Sequence, residues 1–150
     1  MVILITGLIA GSLDFMAAVL LFVSRSKQRP SVLLRYIASA AFGSRAFSGG
    51  SGMALLGLGF HYLIAFFWAA VYFVVFQRIF TCGTGVLVNA IVYGLFVWVI
   101  MNLVVLPLSK AAPRPFSAPV ALINILILIV AIGLPCAYAA SHYPLFWSGL

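Results

Sequence analysis

Asp14 is the only acidic side chain in the sequence. It falls near the middle of an apolar run of helical length. A carboxylate at the centre of a membrane span costs roughly 3 kcal/mol or more. Such a residue faces the interior of its bundle and looks for a partner. His61 is the candidate. It stands about eight residues into the second apolar run, and Asp14 about nine residues from the end of the first. At about 1.5 Å per residue, the two depths agree within roughly one turn if the runs are antiparallel helices. The pair supports two readings. It is a proton relay or polar-ligand site, or it is a neutral acid satisfied by a histidine that holds two helices in register. Gly7 and Gly11 share the Asp14 face at i−7 and i−3, a small-residue surface that allows close helix contact.

Other polar residues form weaker sets. Asn102, near the end of the third run, and Asn124, near the start of the fourth, match in depth and suggest an amide clamp between helices. Asn89 and Tyr93 share another face of the third run. With Tyr62 and Tyr72 they are candidates to line a polar pocket, or to make structural hydrogen bonds. Cys82 and Cys136 are candidates for a disulfide or for two free thiols. No C-x-x-C motif is present to indicate a redox or zinc site. The two histidines, His61 and His142, fall at different depths, so one subunit does not clamp a haem between them.

Enzymatic signatures are missing from the sequence. It contains no P-loop, no H-E-x-x-H and no G-x-S-x-G. One carboxylate cannot supply the acid pair of a glycosidase or a carboxylate-rich metal site. No nucleophile with a matched base is visible, which counts against a lipid-modifying enzyme. The expectation is a non-enzyme with no cofactor and no metal. The run SGGSG could wrap a phosphate beside Arg45, since glycine permits the needed turns; a flexible connector is the plainer reading.

The elements that must position these residues follow from composition. Of the 150 residues, 66% are hydrophobic and 6% charged. A soluble surface needs roughly a quarter of its residues charged, so most of this chain meets lipid. A spanning helix takes about 20 residues. Apolar runs at about 2–23, 53–76, 85–106 and 120–140 fit four such helices and leave no room for a second domain. They lack the period-two alternation of barrel strands. The expected fold is all-α: a polytopic membrane protein formed as one domain of four transmembrane helices. A further segment at about 31–47 lies between the first and second spans. There Ser31, Arg35 and Ser39 recur on one face, and Leu34, Ile37 and Ala41 on the other. This predicts an amphipathic helix at the interface, with Ser31 as N-cap and Gly43 as stop. Four prolines between 107 and 119 argue against helix there.

The net charge of +7 has a topological explanation rather than a nucleic-acid partner. Arg25, Lys27, Arg29, Arg35 and Arg45 lie in the first connection, and Lys110 and Arg114 in the third. The second holds only Arg78. The positive-inside rule places connections one and three in the cytoplasm and both termini outside. The five basic residues of the first connection are candidates to contact anionic headgroups. Tyr143 and Trp147 suit an interfacial tail. The first run lacks a basic n-region and a clear cleavage site, so it is expected to be a retained helix. The alternating hairpins hint at a two-fold repeat, without a convincing match between the halves.

The stretches GLIAGSLDFMAAVL, LRYIASAAFGSRAFSGGSGMALLGLGFHYLIAFFWAAVYFVV and YGLFVWVIMNLVVLPLS resemble small four-helix bacterial inner-membrane proteins of the YagU type. Gly7, Gly11, Asp14, the Gly49–Gly50 run, Gly57, His61, Tyr72, Asn102 and Pro107 carry the resemblance. It implies a bacterial inner-membrane location and transfers no activity. Two function classes follow. The first is a structural or accessory component that associates with itself or with other membrane proteins. The second is a small oligomeric transporter or channel that uses Asp14 and His61 for protons or a polar solute.

Overall fold

The computed structural model describes residues 1–80, 85–113 and 115–143, the side chain of Phe80 excepted. Among the described residues the regular structure is all helical, with no strand. Four helices are long and apolar enough to cross a membrane: α1 (Val2–Ser26), α4 (Gly50–Ile79), α5 (Val86–Leu108) and α6 (Ala118–His142). Between α1 and α4 lie α2 (Pro30–Phe42) and a single turn, α3 (Arg45–Ser48). α1 packs on α4 and α6, α5 packs on α6, and α2 lies along α4.

Glycine sets the close approaches. A Cβ on Gly7 would strike Phe66, and one on Gly11 would stand 2.9 Å from Ala65 Cβ. These contacts seat α1 on α4. A Cβ on Gly57 would collide with the Leu34 carbonyl, so α2 lies directly on the α4 backbone. Gly94 and Gly133 do the same for α5 and α6, against the backbones of Ile129 and Ala90. In contrast, α4 and α5 meet through rings. Tyr93 lies edge-on to Tyr72 at 4.7 Å and near Phe76 at 4.8 Å. Its hydroxyl donates to the Trp68 carbonyl. Such ring pairs add about 0.5–1.5 kcal/mol beyond simple burial.

Prolines explain two irregularities. π-helical turns occupy Met101–Val105 and Ile129–Gly133. Each ends two residues before a proline, Pro107 or Pro135. Inside a regular helix, a proline ring clashes with the carbonyl four residues earlier. A widened turn moves that carbonyl aside and lets the helix continue. This is why α5 runs to Leu108 and α6 contains Pro135, where proline content alone predicted a stop at 107.

The first connection departs from expectation in three ways. Arg29, in extended conformation, precedes α2, and Pro30 occupies its first turn, so Ser31 is not the N-cap. Pro30 suits that place because its missing N–H has no helical partner there anyway. Gly43 does end α2, with φ +61°. The helix faces are also rotated relative to the predicted split. Ser39 is buried and donates to its own Tyr36 carbonyl, while Ala41 is exposed. The run SGGSG is not a loose connector either. Only Gly49 separates α3 from α4, and Arg35 holds the junction by donating from Nε to Gly50 O at 3.1 Å.

Connections one and three meet at one end of the bundle. Lys110 N donates to Ala40 O at 2.9 Å, and the Tyr36 hydroxyl to Ala112 O at 3.1 Å. That end carries the exposed Arg25, Lys27, Arg29, Arg45 and Lys110. Arg78 lies at the other end of α4. Arg114, Trp147 and Cys82 lie outside the described residues.

Candidate functional site

The α1–α4 contact positions the site. With Gly7 and Gly11 pressed on Phe66 and Ala65, the next turn of α1 brings Asp14 to His61. His61 Nε2 stands 3.9 Å from Asp14 Oδ2, too far for a hydrogen bond. It donates instead to Gly11 O at 2.9 Å. That bond requires the proton on Nε2, which fixes the ring beside the carboxylate. Phe15 and Tyr62 flank the imidazole, at 5.3 and 5.6 Å between centroids. A Tyr62–Ser12 hydroxyl pair, 3.0 Å apart, ties the same two helices. Asp14 receives no hydrogen bond among the described residues.

Asp14 and His61 open on a cavity of about 170 Å³. Its wall is mostly apolar: Ile64, Ala65, Val97, Met101, Val105, Leu128 and Ile132. Trp68 closes one side, and its buried Nε1 has no hydrogen-bond partner among the described residues. Towards the basic end, Tyr36, Ala40, Ser109 and Ala111 complete the wall. This is where the Tyr36–Ala112 and Lys110–Ala40 bonds strap connection three over α2. The arrangement offers an acceptor and a histidine at one place in an otherwise apolar chamber. That suits holding a small molecule by one polar group, or passing a proton.

The other predicted sets come apart. Asn102 and Asn124 do not bond to each other. Asn102 Nδ2 turns back to its own helix and donates to Trp98 O at 2.9 Å. The Trp98 carbonyl stands one turn back, so the Asn102 amide needs no second helix. Asn124 makes no hydrogen bond among the described residues, and Asn124→Leu is expected to leave the melting temperature unchanged, an effect within about 0.5 kcal/mol. Tyr62, Tyr72, Asn89 and Tyr93 do not line the cavity. Tyr72 and Tyr93 are fully buried in the ring cluster, and Asn89 is buried near the far end of α5. Cys136 is a buried free thiol in the core. Among the five candidate headgroup residues, Arg35 is committed to the α3–α4 junction, while Arg25, Lys27, Arg29 and Arg45 are exposed.

Sequence reasoning missed Tyr36, Trp68 and Ser109. Tyr36 was absorbed into the interfacial segment and Ser109 into the proline-rich connection, and no local signal brings them to Asp14. Among the described residues, no group of three or more His, Cys, Asp or Glu side chains stands close enough to hold a metal ion.

A double-mutant cycle tests the pair. Asp14→Asn and His61→Gln are expected to couple by roughly 0.5–1.5 kcal/mol in thermal or denaturant stability, the range of polar pairs between membrane helices. Strictly additive effects would show that the two side chains do not sense each other.

No family model, curated protein or solved structure matches this chain.

Proposed function

We propose that this chain is an integral membrane protein that handles protons or a small polar-headed solute at Asp14 and His61. The observation that carries the reading is the position of the pair: the chain's one acidic side chain sits beside a histidine on the wall of a cavity. Embedding is supported by the outward side chains of the long helices, such as Leu20, Leu55, Leu63 and Leu122, all more than 60% exposed. Water would penalise that surface by about 25 cal/mol per Å². The basic end then faces the cytoplasm with α2 at the interface, and both termini lie outside. The YagU-type resemblance points to a bacterial inner membrane, with anionic headgroups against Arg25, Lys27, Arg29 and Arg45.

One observation favours a second reading, an accessory subunit of a membrane assembly. Gly7, Gly11, Gly57, Gly94 and Gly133 are used within the chain, but a Cβ on Gly52 or Gly59 would meet nothing within 4 Å. That part of α4 is free to receive another helix.

Native mass spectrometry of the protein in membrane nanodiscs separates the two. A monomer or homo-oligomer that carries a bound small molecule supports solute handling. Co-purifying protein subunits, with the cavity empty, would replace that reading by the accessory one.

A further inference from the structure

We infer that the cavity takes a small organic amine, an aromatic or compact alkyl base of roughly benzylamine size, with its nitrogen at Asp14. The inference rests on the solute-handling reading above and names the class of solute.

Size comes first. A cavity of about 150 Å³ holds benzene, and this one measures about 170 Å³. One ring or a short branched chain fills it; a lipid tail does not fit. The walls come second. Ile64, Val97, Met101, Leu128 and Ile132 reward an apolar body, and the Trp68 and Tyr36 rings suit a cation beside them. The polar end decides the class. Asp14 receives no hydrogen bond among the described residues, and the neighbouring His61 Nε2–H is already given to Gly11 O. The carboxyl group therefore lacks a donor, and a buried polar group without one is costly. A carboxylate ligand brings acceptors and no donor. A hydrocarbon would leave Asp14 unsatisfied. An ammonium group supplies both charge and donors.

The basic end sets the route. Arg25, Lys27, Arg29, Arg45 and Lys110 repel a cation approaching from water on that side. The neutral base enters from the lipid. Its nitrogen takes the proton of the Asp14 carboxyl group, so an ammonium–carboxylate pair forms with no change in the cavity's net charge.

Binding of benzylamine, toluene and benzoate to the full chain in nanodiscs tests this, read by quenching of tryptophan fluorescence and by calorimetry. Benzylamine is expected to bind at least tenfold more tightly than toluene, and benzoate not at all. Asp14→Asn should remove the amine's advantage and leave toluene binding unchanged. Val105→Phe, which adds a ring to the α5 wall of the cavity and leaves the Asp14 carboxyl group in place, should weaken benzylamine and toluene together. Equal binding of toluene and benzylamine, or an amine preference that survives Asp14→Asn, would overturn the assignment. Failure of benzylamine to bind while Asp14-dependent proton flux persists would overturn the amine class and leave the solute-handling reading standing.

Discussion

Gly57→Ala is expected to destabilise the protein by about 3 kcal/mol, the upper end of what overpacking costs. The added methyl would collide with the carbonyl oxygen and carbon of Leu34, and its other near neighbour is the Leu34 Cα. These are backbone atoms of a helix, so no rotamer change can clear them. α2 must move off α4. That displacement pulls Tyr36 and Ala40 from the cavity wall and with them the bonds that strap residues 110 and 112 in place. Gly59→Ala is the control, two residues along the same helix. Nothing lies within 4 Å of its Cβ, and alanine is favoured over glycine in a helix by about 1 kcal/mol. Thermal melts of both variants in nanodiscs check the contrast. Equal melting temperatures would show that α2 does not pack on Gly57.

Gly11→Val is expected to cost roughly 1–3 kcal/mol and to dismantle the site as well. Its Cβ would stand 2.9 Å from Ala65 Cβ and 3.1 Å from the Tyr62 ring, and valine adds two methyl groups beyond that point. α1 would be wedged from α4 at the level of His61. The Gly11 carbonyl would leave His61 Nε2, and the Ser12–Tyr62 hydroxyl pair would part. The sharper readout is the Asp14–His61 coupling. In the Gly11→Val background the double-mutant cycle should close with no interaction energy. Coupling that persists there would mean that the pair does not depend on the α1–α4 contact.

Parts of this architecture are legible in the amino-acid sequence because they rest on one-dimensional quantities. Length and apolarity mark the four long helices. Counting residues from each helix end gives depth, and depth was enough to bring Asp14 and His61 together. Rotation about the helix axis is a different matter. Asn102 and Asn124 match in depth just as well, yet Asn102 satisfies itself one turn back on Trp98 O. Gly7 and Gly11 supplied the rotational information that the asparagines lack, since a small-residue face shows where a neighbour approaches. Local composition misled at Gly50–Gly52 and at Pro107. In the first case α4 begins at Gly50 despite the poor helix propensity of glycine, with Arg35 donating to the Gly50 carbonyl at the junction. In the second a π turn absorbs the proline. The cavity itself was beyond reach. Its wall joins Asp14 to Tyr36 and Ser109, from two connections whose pairing through Tyr36–Ala112 and Lys110–Ala40 leaves no mark in either segment.

Asp14 offers an unusually clean test, because no other acidic side chain exists to replace it. The decisive measurement is flux in proteoliposomes that hold the purified protein, with an imposed proton gradient and a pH-sensitive dye inside. Wild-type protein should dissipate the gradient, and Asp14→Asn should slow this by about a hundredfold or more, the scale on which a positioned proton-transfer group acts. Gradient loss that is the same in wild type, Asp14→Asn and empty liposomes would contradict a proton- or solute-handling role for the pair.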